Sequence, residues 1–312
     1  MNPSAPRPSL VVVGHASRDL VADDPRGWRL GGSVTYVALT AARLGIGVRA
    51  LVGLDGDSAE ASELDLLRGA GVEISPLVLP SAPVFRNLET PQGRHQECLA
   101  VGPRLHPRDL PNGWREAAAW ALVPVLGEVS GPTWAHLPAH DATVALGWQG
   151  LLREARAGGP TRPRPPVADP LLERADVTVV SGDDLGGVSV ADLVAHMRLM
   201  PLFPRSGQEL VMTDAARGGW LMVRSTRGWD IVPYDAVPAE PELDQTGAGD
   251  VFLAAYLATV VDDTLLPPHR PVERPLFRLR VAATVAAMAT EGPGVTAIPT
   301  RSALQERFGK PD

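Results

Sequence analysis

Short runs of β-branched and other apolar residues alternate along this chain with longer segments whose composition favours helices. The first run, Leu10–His15, has a glycine near its end and predicts a buried strand that enters a loop. The alanine-rich stretch Leu276–Thr290 is bounded by Pro275 and Gly292 and predicts a long helix. This alternation is typical of an α/β sandwich with a mostly parallel central sheet. The further predicted strands are 48–53, 72–79, 142–147 and 176–180, and the further predicted helices are 34–44 and 61–69.

A different pattern, with polar and apolar residues in alternation, occupies the segments Val84–Thr90 and Arg94–Leu99. They flank Pro91-Gln92-Gly93, so a β-hairpin is predicted over about 84–99. Two proline-rich stretches, 160–170 and 262–275, predict irregular surface loops.

Composition restricts the classes of protein that fit this pattern. The 312 residues are 45% hydrophobic and 21% charged, with a net charge of −7 and no basic stretch, which argues against a nucleic-acid partner. The single cysteine, Cys98, fits a reducing cytoplasm, and no apolar run approaches the ~20 residues that span a bilayer. Residues 1–9 lack the apolar core of a signal peptide and predict a disordered lead-in, and 10–312 predict a single domain.

The segment from Asp244 to Asp250 has the sequence Asp-Gln-Thr-Gly-Ala-Gly-Asp and precedes an apolar, helix-forming run. Such a turn leaves backbone N–H groups unpaired at the start of a helix, where the helix dipole favours negative charge. Asp250 is placed to accept a proton from a hydroxyl group. An anion-binding turn beside a carboxylate base is what phosphoryl transfer to an alcohol requires. A glycine-rich loop capped by an aspartate is the purely structural interpretation.

The whole segment resembles the second signature of the ribokinase (PfkB) family of carbohydrate kinases. The resemblance implies a ribokinase-like three-layer α/β sandwich with a small β lid, formed in part by the hairpin. Only eleven residues separate Asp19 from Gly31, where the family has a second lid segment, so a reduced lid is expected. The family resemblance also implies ATP-dependent phosphorylation of a hydroxyl group, with Asp250 as the base. The backbone N–H groups of Gly247, Ala248 and Gly249 would form the anion hole.

A second match, to the first signature of the same family, implies which residues bind the acceptor. Gly31-Gly32-Ser33 opens the predicted helix 34–44 and resembles the first family signature, in which glycines let a sugar approach the backbone. Asp19 follows the first strand, where ligands of open parallel sheets gather, and is predicted to bind the acceptor. Tyr36 stands where the family usually has asparagine, which puts the usual sugar in doubt. Arg86 is a further candidate for acceptor binding.

Three weaker matches imply the donor and metal sites. Thr213 and Gly218 fit the family's nucleotide-side motif, in which Ala215 replaces a glycine. Arg217 is expected to face a phosphate of the nucleotide. Gly249 is assigned both to the nucleotide site and to the anion hole. Candidates for water-mediated Mg²⁺ are Ser181 and Asp184, in place of the family's asparagine and glutamate. Candidates for a monovalent cation such as K⁺ are Asp244, Thr246 and Gly292.

The acceptor is predicted to be a small sugar, polyol or inositol, because the first signature and the short lid are closer to polyol-kinase-like members. The resemblance leaves both a monomer and a homodimer open. A catalytically weak or inactive sugar- or nucleotide-binding protein on the same scaffold is the alternative that the altered motifs favour. A dinucleotide-binding dehydrogenase fits poorly, because the turn after residue 13 lacks the Gly-x-Gly-x-x-Gly pattern.

Overall fold

A computed structural model describes residues 9–90, 93–266 and 273–309. Residues 1–8 of the predicted lead-in lie outside the described residues, and Ser9 begins the first strand. The hairpin residues Pro91 and Gln92 also lie outside them. The strands are β1 Ser9–His15, β2 Ser17–Leu20, β3 Trp28–Gly31, β4 Gly47–Leu54, β5 Glu73–Val78, β6 Val84–Thr90, β7 Gly93–Ala100, β8 Ala119–Leu122, β9 Thr143–Gly147, β10 Arg153–Glu154, β11 Gly159–Pro160, β12 Arg162–Pro163, β13 Val177–Ser181, β14 Glu209–Thr213, β15 Gly219–Ser225 and β16 Gly228–Tyr234. The helices are α1 Ser33–Arg43, α2 Gly56–Ala59, α3 Glu63–Gly69, α4 Pro132–Ala135, α5 Pro170–Arg174, α6 Val190–Leu199, α7 Ala248–Val261, α8 Arg274–Thr290 and α9 Arg301–Gly309.

The central sheet has nine strands in the order β16-β15-β14-β13-β9-β8-β1-β4-β5. All neighbours pair in parallel except β14 with β15 and β15 with β16, which are antiparallel. The mostly parallel α/β architecture predicted from the alternating pattern is therefore confirmed.

Alternate residues of β1 supply two separate hydrophobic cores, because successive side chains of a strand point to opposite faces. Leu10 and Val12 pack with residues of α1, α7 and α8 on one face of the sheet. Val11 and Val13 pack on the other face with residues of α4, α5 and α6, together with buried tryptophans. Helices thus cover both faces of the sheet and complete the three layers.

A second, five-stranded sheet with the order β11-β7-β6-β2-β3 forms the lid. The predicted hairpin supplies β6 and β7. The eleven residues between Asp19 and Gly31, expected only to shorten the lid, contribute to β2 and β3, which pair antiparallel. The lid is small, as predicted.

Most element boundaries differ from the prediction by one or two residues, and three differences have a physical consequence. Helix α7 begins at Ala248, so Asp250 lies within its first turn and not ahead of it. Helix α8 begins at Arg274 and includes Pro275, since proline is tolerated in a first turn where its missing N–H has no partner to lose. The stretch predicted as a loop over 160–170 contains β12 and the last residue of β11. Within the described residues, no helix is long and apolar enough to cross a membrane.

Candidate functional site

A cavity of about 920 Å³ lies between the lid and the carboxyl ends of β9, β13 and β14. Ligands of open parallel sheets bind at this edge, so the cavity is the site that the fold predicts. The lid side contributes Ser17, Asp19, Phe85, Asn87 and Gln96. The sheet and the helix termini contribute, among others, Ser33, Tyr36, Gln149, Arg153, Ser181, Asp184, Thr213, Arg217, Gly218, Thr246, Gly247, Ala248, Gly249 and Asp250.

The first turn of α7 points into this cavity. Gly247 caps the helix with φ 77°, a left-handed conformation that favours glycine. The Ala248 N–H donates to the Gln245 carbonyl oxygen at 3.2 Å, so this member of the predicted anion hole is already engaged. The N–H groups of Gly247, Gly249 and Asp250 have no acceptor among the described residues. These three donors are therefore available to an anion at the positive end of the helix dipole.

Asp250 lines the cavity within that first turn. Desolvation raises the pKa of its carboxyl to about 6, against the opposing effects of a hydrogen bond from Ser33 and the charge of Arg153. The carboxylates of Asp184 and Asp19 raise its pKa further by repulsion. A carboxyl with this pKa is ionised at neutral pH and is still a stronger base than an ordinary aspartate.

Of the predicted acceptor-side residues, Asp19 and Gly32 line the cavity, whereas Gly31 packs against Asp19 and is not a lining residue. Asp19 lies on β2 and accepts a hydrogen bond from the Ser17 hydroxyl at 3.0 Å. A Cβ on Gly31 would lie 2.1 Å from Asp19 Oδ2, and one on Gly32 would lie 2.5 Å from the His15 carbonyl oxygen. The glycine pair is therefore required by the close packing of β2 and its aspartate against the start of α1.

Tyr36 is buried in α1, and its ring packs directly on the glycine that caps α7. A Cβ on Gly247 would lie 2.3 Å from Cε1 of the Tyr36 ring. Burial is the main reason why the pKa of the Tyr36 hydroxyl is raised well above its usual value, and the charges of Asp19, Asp244 and Asp250 add to the effect. The ring thus packs against the glycine-rich turn before α7 and at the same time forms part of the cavity wall.

Strand alternation separates the predicted Arg86 from the cavity. Arg86 is exposed and pairs with Glu97 on the neighbouring strand at 3.4 Å, and it is not among the lining residues. Phe85 and Asn87, on either side of it, point into the cavity instead. Asn87 accepts a hydrogen bond from Gln96 at 3.1 Å, so the lid offers an amide pair to a ligand.

Sequence reasoning missed Arg153, which follows β9 and lines the cavity. Its Nε donates to the Val125 carbonyl oxygen at 2.8 Å. Desolvation lowers the pKa of its guanidinium, and the charges of Asp184 and Asp250 oppose that effect. Its place beyond the carboxyl end of a central strand was the available signal, because functional residues gather there in parallel sheets.

The residues predicted for the donor side cluster at the end of β14. Thr213, Arg217 and Gly218 all line the cavity. Arg217 is exposed and is bound to Asp214, with Nε to Oδ2 at 2.9 Å. Ala215, which replaces the family glycine, has φ 47°, so its backbone retains the left-handed conformation at a cost of about 1 kcal/mol.

Ser181 and Asp184, the predicted magnesium residues, are hydrogen-bonded to each other. The Ser181 hydroxyl donates to Asp184 Oδ2 at 2.6 Å, and Gln149 donates to Oδ1 at 3.0 Å. The described residues contain no group of three or more histidine, cysteine or acidic side chains that could hold a metal ion by themselves. One oriented carboxylate fits Mg²⁺, which keeps several waters and takes its other ligands from phosphates.

The predicted monovalent-cation residues lie around the loop ahead of α7. Asp244 accepts from the Thr246 N–H at 2.9 Å and from the Gly294 N–H at 3.0 Å. Desolvation raises the pKa of Asp244, but these hydrogen bonds outweigh that effect and lower it overall. Through the two bonds, Asp244 connects the turn before α7 to the loop after α8. Gly292, in that second loop, is buried.

Comparison with solved structures agrees with the fold described above. A pyrophosphate-dependent kinase of the ribokinase family, solved with a pyrophosphate analogue and myo-inositol, superposes with a TM-score of 0.71 at 20% identity, covering 96% of this chain and 99% of that one. The chain has the ribokinase-like fold. The ribokinase of Giardia lamblia superposes with a TM-score of 0.73 at 14% identity, covering 97% of this chain and 99% of that chain.

A sequence comparison extends the resemblance beyond the fold. A probable fructokinase of Arabidopsis thaliana is 30% identical over 137 residues, which is 43% of this chain and 40% of the fructokinase. No family model matches the sequence. The predicted resemblance to ribokinase-family carbohydrate kinases is confirmed by the structural neighbours and by this partial match.

Proposed function

We propose that this ribokinase-like protein is an ATP-dependent phosphotransferase that phosphorylates a hydroxyl of a small sugar, polyol or inositol. The observation that carries the proposal is the first turn of α7, where Asp250 stands beside free N–H groups inside a cavity that extends from the lid to β14. A base and an anion site next to each other serve transfer of a phosphoryl group to an alcohol. The fructokinase relative, the neighbour that was solved with myo-inositol and the Giardia lamblia ribokinase support the class of acceptor.

In the proposed reaction, the acceptor hydroxyl oxygen forms a bond to the γ-phosphorus of ATP. The bond from that phosphorus to the oxygen bridging to the β-phosphate breaks, and ADP leaves with the electron pair. The hydroxyl proton goes to the Asp250 carboxylate. The N–H groups of Gly247 and Gly249 stabilise the charge on the phosphoryl oxygens, while Asp19 and the Gly31-Gly32 backbone hold the acceptor.

The donor half of the cavity fits a nucleotide. Helix α8 presents the small residues Ala283, Ala286 and Ala287 to the cavity, and Val237 and Pro238 also line it. This apolar wall suits the flat face of a purine base. Mg²⁺ would be held near Asp184 and would neutralise charge on the phosphates. For K⁺, we propose the surroundings of Asp244, Thr246 and Gly292.

The test is phosphorylation of a panel of polyols, inositols, sugars and nucleosides, with ATP and with pyrophosphate as donors. Product is detected as phosphorylated acceptor by ³¹P NMR, since ATP loss alone would also report hydrolysis. Pyrophosphate is included because one structural neighbour is described as dependent on it. We expect turnover with ATP and at least one polyhydroxylated acceptor.

A sugar- or nucleotide-binding protein without activity is the competing function, and the altered donor and metal motifs favour it. Binding of an acceptor by calorimetry, with no phosphorylated product from any donor, would establish that function instead. The elevated pKa of Asp250 argues for catalysis, because a binding protein gains nothing from a buried carboxylate base.

The pH dependence of the reaction follows from Asp250. Because its pKa is about 6, we expect kcat/KM to rise with pH through about 6 and to level off above it. Ser33→Ala removes the hydrogen bond that stabilises the Asp250 carboxylate and should raise the pKa of Asp250. The rise of kcat/KM should then move to higher pH by about one unit. Initial rates from pH 5 to 8.5 in both proteins measure the shift, and an unmoved limb would show that another group titrates.

A further inference from the structure

Arg153 is held on one side only. Its Nε and Nη1 donate to the Val125 carbonyl oxygen at 2.8 Å and to Gln96 Oε1 at 3.3 Å. Its guanidinium carbon lies 5.4 Å from the centroid of the Phe85 ring. Within the described part of the chain, Nη2 has no hydrogen-bond acceptor. These contacts fix the guanidinium plane and leave one edge open towards the cavity.

No described carboxylate forms a salt bridge with Arg153, although desolvation makes its charge costly. Carboxylates act on it at longer range, and Asp184 and Asp250 act most strongly. These two stand at opposite ends of the proposed transfer, since Asp184 belongs to the phosphate side and Asp250 faces the acceptor hydroxyl. A cation in this position lies within the electrostatic reach of both reactants.

The second cation of the cavity cannot take this role in the observed arrangement. Among the described lining residues, Arg153 and Arg217 are the only arginines or lysines. Arg217 is 77% exposed, and its guanidinium is already paired with Asp214. Among the described lining residues, Arg153 is therefore the arginine that has no carboxylate partner.

We propose that Arg153 is a catalytic residue that binds the phosphoryl group during its transfer. The inference rests on the phosphotransferase function proposed above. The N–H groups of Nη1 and Nη2 donate to two oxygens of the phosphoryl group, in the fork geometry that suits phosphate. Arg153 exchanges no proton: the hydroxyl proton goes to Asp250, and the phosphorus–oxygen bonds form and break as described. Its charge offsets the negative charge spread over those oxygens.

The variants Arg153→Ala and Arg153→Lys test this role. An arginine at a transferring phosphoryl group contributes about 10³-fold or more to kcat in other phosphotransferases, so we expect a loss of about that size in Arg153→Ala. Arg153→Lys should recover only part of it, because a lysine cannot donate in a planar fork. The KM values for donor and acceptor should change by less than about threefold, since the interaction strengthens in the transition state.

Two further measurements distinguish catalysis from a structural effect. Free guanidinium ion should restore part of the activity of Arg153→Ala, which an unfolded or distorted site would not allow. Arg162→Ala is the matched control, because Arg162 is an exposed arginine on β12, the strand that pairs with β10. We expect this variant to keep wild-type kinetics.

The outcomes separate this inference from the function on which it rests. Turnover that depends on Asp250 but is unchanged in Arg153→Ala would overturn the role of Arg153 alone. A large rise in acceptor KM with kcat retained would also overturn it, because Arg153 would then bind the acceptor in the ground state. Absence of phosphorylated product from wild-type protein with every donor and acceptor would overturn the proposed function, and this inference with it.

Discussion

We expect Asp250→Asn to lower kcat by about 10³-fold, since a positioned general base contributes about 10²–10⁴. The substitution preserves size and shape but removes the proton acceptor. Binding of the acceptor should persist, because the substitution leaves the contacts proposed for Asp19 and Gly31-Gly32 unchanged. Phosphorylated product formed under single-turnover conditions measures the loss. Asp192→Asn, in the first turn of α6, is the matched control and should leave turnover unchanged.

The same substitution should stabilise the fold at neutral pH. The pKa of Asp250 is raised to about 6 in the folded protein, so ionisation of this group costs folding free energy as the pH rises from about 4 to 6. Asparagine does not ionise, so the free energy of unfolding of Asp250→Asn should exceed that of the wild type by about 3 kcal/mol at pH 8 and should equal it near pH 4. Denaturant unfolding of both proteins at pH 4 and pH 8 measures the difference in free energy of unfolding and tests its sign. Equal stability of the two proteins at pH 8 would show that Asp250 is not desolvated.

The second large effect is expected from Gly247→Ala. A Cβ at this position would lie 2.3 Å from Cε1 of Tyr36, and the left-handed φ of 77° disfavours any L-residue other than glycine. The turn must move, which displaces the N–H groups of the anion site. Removing one donor from such a site costs about 10²–10³ in kcat, and we expect a loss of at least that size with about 2 kcal/mol lower stability.

Gly249→Ala is the control for stability in this comparison. A Cβ on Gly249 has no heavy atom within 4 Å, and its φ is not left-handed, so the variant should be at least as stable as the wild type. A Gly247→Ala protein with unchanged stability would contradict the close contact with Tyr36. Thermal unfolding of the two variants side by side decides between these results.

Local sequence patterns were sufficient for the architecture and for the residues fixed by short motifs. The glycine-rich turn before α7 constrains its own geometry, so Gly247 and Asp250 could be placed from sequence. The hairpin was equally local, because its turn residues stand between two alternating segments. These features depend on contacts between residues close in the chain.

Features that depend on distant contacts were not predictable in this way. Arg153 became visible only when folding brought the turn after β9 against Val125 and the lid residues Phe85 and Gln96. One local feature was also missed: the Ala248 N–H donates to the carbonyl oxygen of Gln245, three residues earlier, and the sequence does not specify the turn in that detail. Arg86 was wrongly assigned to the cavity because the sequence shows that side chains of β6 alternate between two faces but does not show which face meets the cavity. The pairing of β6 with β7 and β2 decides this.

A single residue, Ala16, separates the last residue of β1 from the first residue of β2. Asp19 therefore lies only three residues beyond the junction between the central sheet and the lid. Ala16 is fully buried, and its N–H donates to the Gly53 carbonyl oxygen of β4 at 3.0 Å, so the junction is anchored to the central sheet. The segment 79–83, which joins β5 to β6, is longer. The position of the Asp19 carboxylate is thus set by the central sheet as much as by the lid strand that carries it.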